Sequence, residues 1–257
     1  MNKNRHPEIV LNDEDAKRAL RRRTRRDFLI GGLAAAAGVG TYEWIMHAKD
    51  DNSVPWPQRR VLDANGRLSK GYVSNGHRMP MYSKEQIQFL KVNGDIGLNP
   101  QFDLSEWKLH VQTGMPGGDF NLSLADIQAL PRYEMITRFC CIEGWSAVAY
   151  WGGPRFSEFT RRYFPRGRKL PSYVYMATVG EDYYVGLDMK SAMHPQTLLA
   201  YEQNGEPLKP EHGAPLRLAI PVKYGIKNIK RIGIVKYTDE KPGDYWAEEG
   251  YDWFAGL

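Results

Sequence analysis

The sequence predicts a mixed α+β domain in which β-sheets carry the core and the helices are short. Three observations predict it. Runs with the two-residue period of half-buried strands recur along the chain, as in Trp107-Lys108-Leu109-His110-Val111. Helical stretches between them are brief, such as Ser123 to Ala129, which Pro131 stops. An Asn204-Gly205 pair set between apolar runs marks a hairpin turn.

Composition narrows the class. The 257 residues, 42% hydrophobic and 25% charged, suffice for one full core. The net charge of +5 sits largely in residues 1–50, with ten Lys/Arg against seven Asp/Glu, leaving 25 against 23 elsewhere. A nearly neutral body without a basic stripe argues against nucleic-acid binding. Two adjacent cysteines, Cys140 and Cys141, exclude a disulfide framework, and no Cys-x-x-Cys-His haem motif or Gly-rich phosphate loop occurs.

At the N-terminus, Arg21 to Arg26 precede Asp27-Phe28-Leu29-Ile30 and a run rich in Gly and Ala. The segment Thr24-Arg25-Arg26-Asp27-Phe28-Leu29 resembles a twin-arginine export signal. The uncharged run from Phe28 to Tyr42 is 15 residues, short for a spanning helix. Residues 1–48 are therefore expected to be an export signal for the periplasm. Met46-His47-Ala48 is a poor cleavage site, which leaves an uncleaved membrane anchor open. Residues 49–80, broken by Pro55, Pro57, Gly66, Gly71, Gly76 and Pro80, read as a linker or an arm. The globular body is expected over 81–257.

Within the body, Ser83 has the form of a cap for a short helix, and Phe89 to Asp95 reads as a strand entering a loop. His110 lies on the polar face of its strand and is not taken as a ligand. Met135 to Cys141 is strand-like and delivers the cysteines to a Gly- and Trp-rich turn. A soft thiolate there, walled by Trp145, Tyr150 and Trp151, suits a redox metal or a nucleophile, and equally a buried Cys pair. Phe156 to Phe164 has helical spacing, and Tyr173 to Thr178 and Tyr183 to Leu187 read as strands. Asp188 to Met193 forms one helical turn, the hairpin around Asn204-Gly205 follows, and Ile229 to Tyr237 is the last strand.

The segment Cys141-Ile142-Glu143-Gly144-Trp145-Ser146, followed by Trp151-Gly152-Gly153, resembles the cofactor-binding Cys segment of the sulfite oxidase family of molybdopterin enzymes. In particular it is similar to the periplasmic branch that includes the catalytic subunit of protein-methionine-sulfoxide reductase. A second stretch, His212-Gly213-Ala214-Pro215-Leu216-Arg217, then a strand and a loop ending in Lys230, resembles the other family signature. The resemblance implies a sulfite oxidase-type domain holding molybdenum and molybdopterin. It makes Cys141 the metal ligand and Cys140 a bystander. It places Asn93, Ile96, Gly97, Thr178, His212, Arg217 and Lys230, with the amides of Asn228 and Ile229, on the pterin. A planar guanidinium and an ammonium suit the cofactor's phosphate and polar edges. Glu143, two residues from the ligand, stands either as a proton relay or as a cap on the turn.

Two departures shape the expected chemistry. His212 stands where the sulfoxide reductase branch has Asn, and Ser146 stands where sulfite oxidases have an oxyanion-binding Arg. The implied activity is oxygen-atom transfer, with reduction of a sulfoxide or similar oxo-acceptor preferred to sulfite-type oxidation. Electrons then come from a partner, a membrane haem subunit or a soluble cytochrome, and the twin-arginine machinery handles export. A non-catalytic accessory scaffold is the competing reading, distinguished by absence of molybdenum. A thiol redox pair is disfavoured by the adjacency of Cys140 and Cys141.

Overall fold

In a computed structural model, residues 12–72 and 76–257 are described. Residues 1–11 of the expected export signal and 73–75 of the expected arm lie outside the described residues. The chain divides into two compact units, Met1–Asp50 with Pro55–Gln58, and Asp51–Val54 with Arg59–Leu257.

The first unit is dominated by helix α1, Asp13–Met46. Asn12 caps it, its side-chain oxygen accepting from the Asp15 amide at 2.8 Å. Asp13, Glu14 and Asp15 in the first turn complement the helix dipole. Nothing on α1 is buried, and it is long and apolar enough to cross a membrane by length and composition. The uncharged run Phe28 to Tyr42 is the middle of this helix, which continues through the charged residues on both sides.

Two short strands, β1 (Asp50–Asp51) and β2 (Val54–Pro55), form a minimal ribbon, and helix α2 covers Trp56–Tyr72. A linker reading did not anticipate this helix. Pro55 and Pro57 fall just before and within its first turn, where a missing N–H costs no bond. Gly66 is kept by packing: a Cβ there would stand 3.1 Å from Asp252 Oδ1 and 3.3 Å from Phe254 Cβ.

The remaining elements are β3 (Leu109–Gln112), β4 (Phe120–Leu122), α3 (Leu124–Gln128), β5 (Tyr133–Cys140), β6 (Ser146–Gly153) and α4 (Phe156–Tyr163). Then follow β7 (Tyr173–Thr178), β8 (Tyr184–Asp188), α5 (Met189–Ala192), β9 (Leu198–Ala200), β10 (Glu202–Gln203) and β11 (Glu206–Pro207). The chain closes with β12 (Arg217–Ala219), β13 (Ile232–Thr238) and α6 (Tyr245–Glu248).

A five-stranded sheet has the order β4-β3-β13-β7-β8. Its middle strand, β13, runs parallel to β3 and antiparallel to β7, so the last third of the chain closes the sheet. Alternating residues Leu109, Val111, Val174, Met176, Val235 and Tyr237 face one core with Phe156 and Phe159 of α4. Burying each such aromatic contributes about 1.5–3 kcal/mol. The Tyr237 hydroxyl pairs with Thr160 Oγ1 at 2.9 Å, so its burial leaves no orphan.

A four-stranded sheet, β11-β10-β6-β5, and the pair β12-β9 share a second core around Met135, Ala149, Trp151, Leu198 and Ala219. The Asn204-Gly205 turn joins β10 to β11 with φ of 54° and 86°, as its residue types demand. Ser83 caps a single 3₁₀ turn at Lys84–Gln86. The strand expected over Phe89 to Asp95 does not form. The chain entering it is tied to β6 only at Gln88, whose amide donates to Val148 O at 2.9 Å and whose side-chain oxygen takes the Val148 amide at 3.1 Å in place of a strand carbonyl.

Candidate active site

β5 and β6 pair in unbroken register from Tyr133↔Gly153 to Cys140↔Ser146, and the loop at their end carries Cys141. The loop closes on itself. The Cys141 amide donates to Trp145 O at 2.9 Å and the Gly144 amide to Cys141 O at 3.2 Å. Gly144, at φ 88°, supplies the left-handed residue this closure needs. Phe139 and Cys141 line one cleft, while Cys140 between them does not, as strand alternation requires. Burial raises the Cys140 thiol pKa.

Asn93 approaches from the loop after Leu90, with Nδ2 3.6 Å from Cys141 Sγ. That loop is held by Lys230, whose Nζ donates to Asn93 O and Gly94 O at 2.8 Å each and to Glu211 O at 2.9 Å. Arg217, 2% exposed on β12, donates to His212 O at 2.9 Å and Asn228 O at 3.2 Å and lies over Trp151, 4.7 Å from the ring centroid. Two cations thus brace three loops around the thiol.

The cleft they enclose has a volume of about 170 Å³ and opens to solvent. Asn93, Ile96, Cys141, Glu143, His212, Arg217, Asn228 and Lys230 all line it. Gly97, Thr178 and Ile229 do not, and act behind its wall. Gly97 packs so tightly on Thr178 that a Cβ would meet Thr178 Cγ2 at 2.5 Å. Thr178 is fully buried, its hydroxyl oxygen accepting from the Tyr183 amide at 3.2 Å. Ile229 is a core residue whose carbonyl takes the Leu218 amide at 2.9 Å. The Asn228 amide is committed to Gly225 O at 2.9 Å, so it does not cradle an external oxygen.

The expected aromatic mouth is also corrected. Trp145 lines the cleft, but Tyr150 and Trp151 do not, since β6 turns them into the sheet packing. The sequence reading missed Leu90, Lys91, Phe139, Tyr183, Ile226, Trp246 and Tyr251, which complete the walls.

Electrostatics set the character of the site. Among the described residues neither Arg217 nor Lys230 has an ion-pair partner; their donors go to carbonyls. Burial, and for Lys230 also the nearby Arg217, pushes them down to about 10 and about 8. His212 is lowered by burial and then by Arg217 and Lys230, which favours the neutral ring. Glu143, the only acidic side chain among the lining residues, accepts from Trp145 Nε1 at 3.0 Å. Trp145, then Asn93 and Lys91, hold it below the usual carboxylate range. A buried and a half-buried cation without carboxylates favour an anion.

Among the described residues no three His, Cys, Asp or Glu cluster as a metal cage. The cleft offers one soft ligand, so a metal there must bring its remaining ligands with it.

Residues 96–246 match the family described as "Oxidoreductase molybdopterin binding domain". Over 236 residues the chain is 31% identical to the "Putative protein-methionine-sulfoxide reductase subunit YedZ1" of Azospira oryzae, covering 90% of this chain and 86% of that protein. It is 34% identical over 184 residues to the "Protein-methionine-sulfoxide reductase catalytic subunit MsrP" of Campylobacter jejuni, covering 63% and 60%. With the subunit of the same name from Xanthomonas campestris it shares 36% identity over 162 residues, covering 56% and 49%. The chain therefore spans about half to three fifths of the length of those two catalytic subunits. The family holds molybdenum through molybdopterin, and the chain is a molybdenum-dependent oxidoreductase of α+β fold. The matched domain, carrying both signatures around Cys141 and Arg217, makes this chain a member of the sulfite oxidase family of molybdopterin-binding oxidoreductases.

Proposed function

We propose that the protein reduces a sulfoxide, removing its oxygen with two electrons and two protons to leave a thioether and water. The observation that carries this reading is the thiol of Cys141 in a cleft beside Asn93, with Arg217 buried, Lys230 half-buried and neither paired with a carboxylate among the described residues. The residues fit a molybdopterin: Cys141 as the protein's ligand to molybdenum, and His212, Arg217 and Lys230 toward the pterin and its phosphate. When bound, the cofactor supplies the two-electron centre for oxygen-atom transfer.

The rest of the site favours an uncharged substrate. Ser146 stands on β6 outside the lining of the cleft, so no guanidinium from that position is available to a sulfite oxyanion. The names of the relatives, protein-methionine-sulfoxide reductase subunits, support a sulfoxide as the oxo-acceptor. Protons must reach the departing oxygen, and Glu143 is the carboxylate placed to pass them.

Electrons come from a partner protein, a membrane haem subunit or a soluble cytochrome. Residues 1–48 direct twin-arginine export to the periplasm or remain as an anchor, consistent with the apolar helix α1. Residues 49–80 join this segment, as an arm, to the oxidoreductase body at 81–257. The test is reduction of methionine sulfoxide by molybdenum-loaded protein with a reduced viologen dye as donor. Stoichiometric thioether formation is expected; sulfite oxidation without sulfoxide reduction contradicts the reading.

A further inference from the structure

The cleft has two chemically distinct sides. One carries Cys141 with the cations and amides described above. The other is formed by the C-terminal segment, through Trp246 and Tyr251. Their rings meet edge to face, 5.3 Å apart at 80°, and the Tyr251 amide donates to Trp246 O at 2.9 Å. Tyr251 remains 37% exposed, so its ring is accessible from solvent.

This wall is anchored from far away in the chain. Arg59 of α2, 5% exposed, donates to the carbonyl of Tyr251 itself at 2.9 Å and to that of Ala247, next to Trp246, at 2.8 Å. It also donates to Asn52 O at 2.7 Å and Asp51 O at 3.2 Å. A guanidinium buried among four backbone carbonyls fixes geometry that no local sequence sets. Lys227 adds an ion pair to Asp244, which caps α6 through the Ala247 amide at 3.1 Å.

We propose that Trp246 and Tyr251 are the substrate-side wall, holding the uncharged apolar substituent of the sulfoxide, and that Arg59 is the positioning residue that fixes them. The assignment rests on the sulfoxide reading given above. Edge-to-face rings present both an apolar surface and polarised edges, and sulfur groups pack favourably against aromatic rings. The cationic side serves the cofactor, while the aromatic side selects substrates by apolar area.

The experiment uses the full-length, molybdenum-loaded protein and measures binding of methyl phenyl sulfide by calorimetry, beside turnover of methyl phenyl sulfoxide and dimethyl sulfoxide with a viologen donor. Trp246→Ala and Tyr251→Ala are each expected to raise the Kd of the sulfide about tenfold or more, the scale of losing one buried aromatic contact. The same variants should raise KM for methyl phenyl sulfoxide more than for dimethyl sulfoxide, with kcat within about threefold and molybdenum content unchanged. Arg59→Met should reproduce the binding loss and Arg59→Lys recover part of it. Kd values within twofold of wild type in both aromatic variants overturn the wall, and a wild-type Kd in Arg59→Met overturns the positioning role. Sulfide binding that depends on Trp246 without turnover of any sulfoxide would keep the wall and remove the sulfoxide reading. Turnover indifferent to both rings would do the reverse.

Discussion

Asn93 Nδ2 stands 3.6 Å from Cys141 Sγ, an amide donor pointed at the thiol that carries the metal in the proposed function. The pair joins two loops separated by 48 residues, and Lys230 holds the Asn93 side in place through the carbonyls of Asn93 and Gly94. A donor to thiolate withdraws charge from the sulfur and so tunes what the sulfur binds. Asn93→Leu is expected to keep most of the molybdenum while turnover falls about tenfold, the scale of one hydrogen bond to a charged group. Elemental analysis beside a viologen-linked assay checks it.

Lys230 gives a pH signature in the cofactor-free protein. Its folded value of about 8 lies below the ordinary 10.5, chiefly through burial. Between these values the unfolded chain holds the proton and the folded chain does not. Stability should therefore climb as pH rises from about 8 toward 10.5, and Lys230→Met should remove that rise. Denaturant titrations of both apo-proteins across this window decide it.

Glu143 is held in its ionised form by the Trp145 indole and the Asn93 amide. Glu143→Gln keeps a hydrogen-bond acceptor for Trp145 but loses the proton-accepting carboxylate. Turnover is expected to drop by about 10²-fold, the lower end for general acid–base catalysis, with molybdenum retained. Unchanged rates across pH would leave Glu143 as a loop cap only.

The Asp244 carboxylate pairs with Lys227 and accepts the amides of Gly186 and Ala247, all within the interior. Asp244→Ala strands a buried ammonium and uncaps α6. The expected loss is about 3–5 kcal/mol, as for other broken buried pairs, read as a lower midpoint in chemical denaturation.

Much of the cleft was legible because its signals are local. The β5–β6 hairpin follows from strand alternation up to Cys140 and from a turn that needs Gly144, so Cys141 falls at its mouth. Arg217 and Lys230 belong to a contiguous stretch with a recognisable spacing. What escaped depends on contacts distant in sequence. Trp246 and Tyr251 reach the cleft because Arg59, 188 and 192 residues from the carbonyls it binds, pulls the tail into place. Helix α2 was hidden by prolines that fall at its start and a glycine required by packing. Thr178 and Gly97, expected as pterin contacts, pack against each other and are not among the residues that line the cleft. No strand forms over Phe89 to Asp95; the chain entering it is tied to β6 only at Gln88, whose side-chain oxygen takes the Val148 amide.

The most direct test of the account is molybdenum content, measured by elemental mass spectrometry on protein from a host that makes the cofactor and exports the folded protein. Wild type, Cys140→Ser and Cys141→Ser are compared. The account predicts about one metal per chain in wild type and in Cys140→Ser, and its loss in Cys141→Ser, since one thiolate is the protein's only ligand. Equal molybdenum in Cys141→Ser, or none in correctly exported wild type, would contradict it.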